Sequence, residues 1–130
     1  MKSILAGSLI FTIALFSGSV AAAQELDGSA VKDLALQGIW DAQERGYGYW
    51  SWNEDGSVCL RKNDPTGDCD DTGTWAIEGN FICYELEWWG ESEGLRVACI
   101  SVIAHEGKPY EFIFQGDAMN STLFTFKLLE

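Results

Sequence analysis

Positive charge is scarce in this chain of 130 residues, where 8 Lys and Arg stand against 20 Asp and Glu. Nucleic acid is held by clustered cations on its phosphates, so it drops out as a partner, and anionic lipid surfaces are disfavoured for the same reason. Histidine is scarcer still: His105 stands alone, in an expected turn beside Glu106 with no candidate nucleophile near it in sequence. No Gly-x-Ser-x-Gly elbow is present, so nucleophilic Ser-His-Asp or Cys-His chemistry has no signature here. Cys-x-x-Cys is missing too, which removes the knuckle that zinc ribbons and thioredoxin-like redox sites share. No cofactor and no metal are expected. After residues 4–16 no apolar run is long enough to cross a bilayer, and the chain holds no internal repeat or low-complexity segment.

What is present begins with Lys2, the apolar run 4–16 and Val20-Ala21-Ala22-Ala23 before Gln24, the order of a cleavable secretory signal peptide. The expected organisation is a signal peptide over 1–23 and one domain over 24–130, too short for two independent cores. That domain carries 20 acids against 7 bases, a formal charge of −13 once Lys2 has left. Export places it in the periplasm or outside the cell, in an oxidising compartment where its four cysteines form disulfides. Acidity of this size serves solubility, or draws in a basic protein or a cation.

Over 27–37, Ala30, Val31, Leu34 and Ala35 recur at helical spacing, with Asp27 or Ser29 available as N-cap and Gly38 as the stop. From Gly38 onward the period becomes two and turn signals recur about every ten residues. Strands are expected near 39–44, 47–53, 57–62, 72–78, 81–89, 95–103, 109–115 and 122–128. The fold class is therefore mainly β: a small antiparallel meander of about eight strands, barrel or half-barrel, behind a short N-terminal helix. Pairing across Asp55 sets Trp50 beside Leu60 and Trp52 beside Val58, while Ser51, Ser57 and Arg61 take the other face. Pairing across Glu91 sets Ile82 beside Ile100 and Tyr84 beside Ala98, with Cys83 meeting Cys99 opposite. Four cysteines allow three connectivities. The hairpin favours Cys83 with Cys99, which leaves Cys59 with Cys69. Tyr110, Phe112 and Phe114, then Phe124, Phe126 and Leu128, repeat every second residue like a barrel interior.

Candidate chemistry is thin. Asp64, Asp68, Asp70 and Asp71 gather around a turn, but the EF-hand order is missing, and a Cys59–Cys69 bridge would aim these side chains at solvent. Glu85 and Glu87 share a strand face, as a glycosidase pair could, yet solubility gives the same pattern. Asn120-Ser121-Thr122 matches a glycosylation acceptor and reads equally as a turn. Aromatics are the richer signal, with Tyr47, Tyr49, Trp50 and Trp52 in one strand and Trp88 and Trp89 adjacent. Neighbours on a strand point opposite ways, so Trp88 and Trp89 cannot both face inward. One of them stays exposed unless a loop or partner covers it, and exposed aromatics mark binding surfaces.

Gly38-Ile39-Trp40 after a short helix looks like the Gly-x-Trp signature of lipocalin-type barrels. With Gly46, Trp50, Asp55-Gly56, Gly73-Thr74-Trp75, Gly79-Asn80, Ile82-Cys83-Tyr84, Cys99 and Gly107, the pattern over 38–126 resembles a family of small secreted proteins of rhizobia and related bacteria whose function is unknown. That resemblance implies a periplasmic β domain and offers no catalytic residues. The chain is short for a lipocalin calyx and has no second lipocalin motif. The expectation is a non-catalytic binding protein, not an enzyme. It would engage a protein partner or a second copy, as a homodimer, through Trp88, Trp89, Tyr47, Tyr49 and Trp50. The alternatives are a small apolar or carbohydrate ligand in the barrel mouth and, behind it, an enzyme using surface carboxylates.

Overall fold

A computed structural model of the chain describes residues 23–106, 110–115 and 123–129. In chain order these form β1 (Gln24–Glu25), α1 (Gly28–Ala35), β2 (Ile39–Asp41), a 3-10 turn (Gln43–Arg45), β3 (Tyr49–Trp52), β4 (Ser57–Arg61), β5 (Asp71–Glu78), β6 (Phe81–Leu86), β7 (Val97–Ala104), β8 (Tyr110–Phe114) and β9 (Leu123–Leu129). From β2 to β9 each strand pairs antiparallel with the next, and β9 returns to β2 with Trp40 opposite Leu128. The eight strands close into an up-and-down barrel of lipocalin-like shape, with β1 as a short addition on β7. Closure leaves few free strand edges, which is how this architecture avoids edge-to-edge aggregation.

Alternation decides what fills the barrel. Trp50 sits opposite Leu60 and Trp52 opposite Val58, as their spacing about Asp55 requires. Ile82 and Tyr84 meet Ile100 and Ala98, again the register that the 87–96 connection sets. These side chains join Trp40, Phe112 and Phe114 in one buried core. An eight-stranded lumen is just wide enough for side chains to occupy, and here the occupants are rings. Trp40 packs edge-on against Phe112 at 4.3 Å, and Trp50 against Tyr84 at 5.0 Å, the geometry that the ring quadrupole favours.

One end is plugged by α1. Asp27 caps it by accepting the Ala30 N–H, and Val31, Leu34 and Ala35 turn inward beneath. Trp40 Nε1 ties the helix to the barrel by donating to the Leu34 carbonyl at 3.4 Å. Because α1 precedes β2, it lies with the 53–56 and 79–80 turns. The connections 42–48, 62–70 and 87–96 gather at the opposite end.

Strand ends differ from the sequence reading where side chains capture backbone. The first expected strand, 39–44, stops at Asp41, because Gln43 accepts the Gly48 N–H and donates to the Lys62 carbonyl at 2.7 Å, closing a 3-10 turn. The second begins at Tyr49, since Gly48 adopts φ +79° where a Cβ would lie 2.4 Å from the Arg61 carbonyl oxygen. Cys59 is bonded to Cys69 and Cys83 to Cys99, and the described residues include no free cysteine. Their separations of 10 and 16 residues correspond to about 3 kcal/mol each of constraint on the unfolded chain. No helix among the described residues is long and apolar enough to cross a membrane. Residues 1–22 and the Asn120-Ser121-Thr122 acceptor lie outside the described residues.

Candidate functional site

At the loop end a buried carboxylate organises the surface. Asp71 opens β5 in phase with Gly73, Trp75 and Ile77, so its side chain turns inward and is only 3% exposed. Its Oδ2 accepts the backbone N–H groups of Trp88 at 2.9 Å and Trp89 at 2.7 Å. Its Oδ1 accepts those of Thr72 at 2.7 Å and Glu87 at 3.3 Å. Burial by itself pushes this carboxyl up, but the N–H groups of Trp89, Trp88, Thr72 and Glu87 outweigh it and hold the pKa below the ordinary value. The expectation that all four loop aspartates face solvent is therefore corrected at Asp71. Asp64 keeps its carboxylate on Thr66 and Asp70 accepts the Lys62 N–H, so the four acids do not converge as a calcium loop would.

This capture ends β6 at Leu86 instead of 89 and starts the 87–96 loop. The far side is fixed as firmly. Leu95 is buried, and the buried Tyr84 hydroxyl donates to its carbonyl oxygen. Burial, helped by Tyr47, raises the Tyr84 pKa far above that of a free phenol. Between the two anchors, Gly90 takes φ +81°, and a Cβ there would meet Leu95 Cβ at 2.9 Å. Arg96 donates to the Leu86 carbonyl and pairs with Glu91 at 2.5 Å, which braces the loop base.

The five aromatics expected to form a binding surface separate. Trp88 is 49% exposed. Trp89 turns under it, edge-on to Tyr47 at 5.6 Å and to Trp50 at 5.5 Å, so Trp89 and half-buried Tyr47 close the barrel below the loop. Tyr49 lies half-buried on the outer face of β3. Trp50 is corrected from surface to core: it is 0% exposed, and its Nε1 donates to the Tyr47 carbonyl. It shares the parity of Trp52, and the apolar hairpin face could have placed it.

The remaining candidates lie apart from this face. Glu85 and Glu87 are exposed, and Glu85 stands 3.6 Å from Arg96. His105 meets Glu111 at 2.7 Å on the barrel wall. Glu78 lies beside the Cys83 and Cys99 sulfurs, but those are bonded to each other and offer no thiolate. An open groove of about 640 Å³ crosses the outside of β5, β6 and β7 along that disulfide, with Val97 52% exposed at its edge.

Beside Trp88 a depression of about 370 Å³ is lined by Lys62, Trp89, Gly90, Glu91, Ser92 and Glu93. The Lys62 ammonium stands 5.7 Å from the Trp88 ring centroid. Sequence reasoning missed Lys62, because its meeting with Trp88 joins two loops far apart in the chain. It places Asp71 with the solvent-facing loop acids, although its even spacing from Trp75 signals the inward face. Comparison with known proteins finds no matching family model, no matching curated protein and no matching solved structure.

Proposed function

We propose that this is a non-catalytic binding protein of the periplasm or the secreted fraction, which holds a partner protein on the loop end of its barrel with Trp88 as the anchor. The observation that carries this reading is the combination of exposure and rigidity at Trp88. The indole is half exposed, yet the loop bearing it is pinned by Asp71 on one side and by Leu95 and Tyr84 on the other. An aromatic already held in place loses little freedom on binding, which is the property of interface hot spots. The two disulfides support an oxidising compartment. The lumen, filled by Trp40, Trp50, Trp52, Tyr84, Phe112 and Phe114, directs recognition to the outside.

Trp88→Ala and Trp89→Ala, compared side by side, test this. Trp88→Ala should cost under about 1 kcal/mol of stability but about 2 kcal/mol or more of association. Trp89→Ala removes packing from Tyr47 and Trp50 and should cost about 2–3 kcal/mol of stability. Association is read by native mass spectrometry of protein purified from its own exported fraction, which reports a partner or a second copy, and stability by thermal unfolding. If Trp88→Ala leaves association intact, the reading fails.

A further inference from the structure

Building on the Trp88 reading, the chemistry of the occupant can be taken from what covers the ring in the free protein. Lys62, exposed on the disulfide loop, holds its ammonium over Trp88, a placement driven by attraction of a cation to the electron-rich indole face. No ion pair engages Lys62 among the described residues, whereas Arg96 is paired with both Glu85 and Glu91. Among the described residues the Lys62 head is thus held by a weak contact that a competitor can replace. Glu91 and Glu93 stand on the rim of the same depression, and carboxylates outnumber cations seven to three across the connections 42–48, 62–70 and 87–96. An indole face flanked by carboxylates on a strongly acidic protein is complementary to a cation carried on an apolar stem.

We propose that the Trp88 depression takes an arginine or lysine side chain of a basic protein partner, in the place that Lys62 occupies in the free protein. Its methylenes would lie along the indole, and its charge would face Glu91 and Glu93. Lys62 is then an internal competitor that the partner displaces.

The probe is a capped, fluorescein-labelled hexa-arginine peptide, titrated by anisotropy at 0.15 M salt into the full exported protein with its disulfides intact. Trp88→Ala should weaken binding at least about tenfold. Lys62→Gln should tighten it about two- to fivefold, the range of one exposed cation–π contact. Lys32→Gln, which removes the same charge on α1 at the opposite end, should leave it unchanged. Equal tightening by the two Lys variants would show bulk electrostatics and overturn the proposal. So would weaker binding of Lys62→Gln, indifference to Trp88→Ala, or displacement of the peptide by neutral maltohexaose, which would mark a carbohydrate site. If hexa-arginine does not bind while Trp88→Ala still abolishes association with the native partner, the cation inference fails and the Trp88 reading stands. If Trp88→Ala keeps that partner, the Trp88 reading itself falls.

Discussion

Replacing Asp71 by Asn is an exchange of nearly identical volume that should unfasten the Trp88 loop. Both oxygens of the buried carboxylate face only donors: Thr72 and Glu87 on one, Trp88 and Trp89 on the other. Whichever way the amide turns, its NH2 group points at a backbone N–H. If the amide oxygen keeps the two Trp contacts, they fall from charge-assisted bonds, about 1.5–3 kcal/mol each, to neutral ones of about 1 kcal/mol. The Thr72 and Glu87 N–H groups lose their acceptor as well. A net cost of about 2–3 kcal/mol follows, equivalent to about 10–20 °C in Tm for a domain of this size. Local opening of the loop limits it to that range. Urea unfolding gives the stability, and hydrogen exchange at the Trp88 and Trp89 amides locates the loss. In the wild type the folded pKa of Asp71 lies below the unfolded one, so its contribution is complete above about pH 4 and disappears as pH falls through the folded value. The Asn variant should lack this part of the acid transition. A change under about 0.5 kcal/mol, with both amides still protected, would refute the assignment of Asp71 as the organiser of the loop.

Three substitutions in the core make further tests. Trp52 Nε1 is buried without a hydrogen-bond partner among the described residues, whereas Trp50 Nε1 donates to the Tyr47 carbonyl. Trp52→Phe should relieve an unpaired donor worth about 1–3 kcal/mol and offset most of its lost packing, so Trp50→Phe should be the more destabilising by about 1 kcal/mol or more in urea unfolding. Tyr84→Phe should cost about 1–2 kcal/mol at neutral pH through loss of the bond to Leu95. Wild-type stability should also decline as pH rises above about 10, because the folded phenol resists ionisation that the unfolded one accepts. That alkaline decline should be shallower in Tyr84→Phe, and an identical slope would remove Tyr84 as its source.

The barrel was legible because its strands announce themselves twice, in alternation and in turn residues. Asp55-Gly56 and the Gly90–Gly94 span fixed two hairpin registers to the residue, and the second brought Cys83 opposite Cys99. β1 escaped notice, since two residues, Gln24 and Glu25, borrow their pairing from Ile103 and Ala104 and carry no periodicity of their own. Asp71 escaped for a different reason. An aspartate next to Cys69 and Asp70 reads as the tail of a charged loop, and only its parity with Trp75 and Ile77 shows that it belongs to the inward set. Trp50 neighbours the outward Tyr49 in sequence, but its register with Leu60 puts it inside. The contact of Lys62 with Trp88 depends on how two loops close over the barrel end, which no local pattern in either loop encodes.

Burial of Asp71 ties these observations to function. Taking a carboxylate out of water costs several kcal/mol unless hydrogen bonds replace its hydration, and here the replacements are N–H groups of the residues that carry Trp88 and Trp89. A wall with no role beyond solubility could keep the same acid wet, as Asp64, Asp68 and Asp70 are kept. The arrangement instead fixes the backbone beneath an exposed indole, the condition under which the proposed binding would not have to order it. Asp71 makes none of the contacts that an occupant of the Trp88 depression would make, so it acts as a positioning residue. Asp71→Asn should therefore weaken association by lowering the population of the competent loop, and the loss should track the loss of amide protection at Trp88 and Trp89.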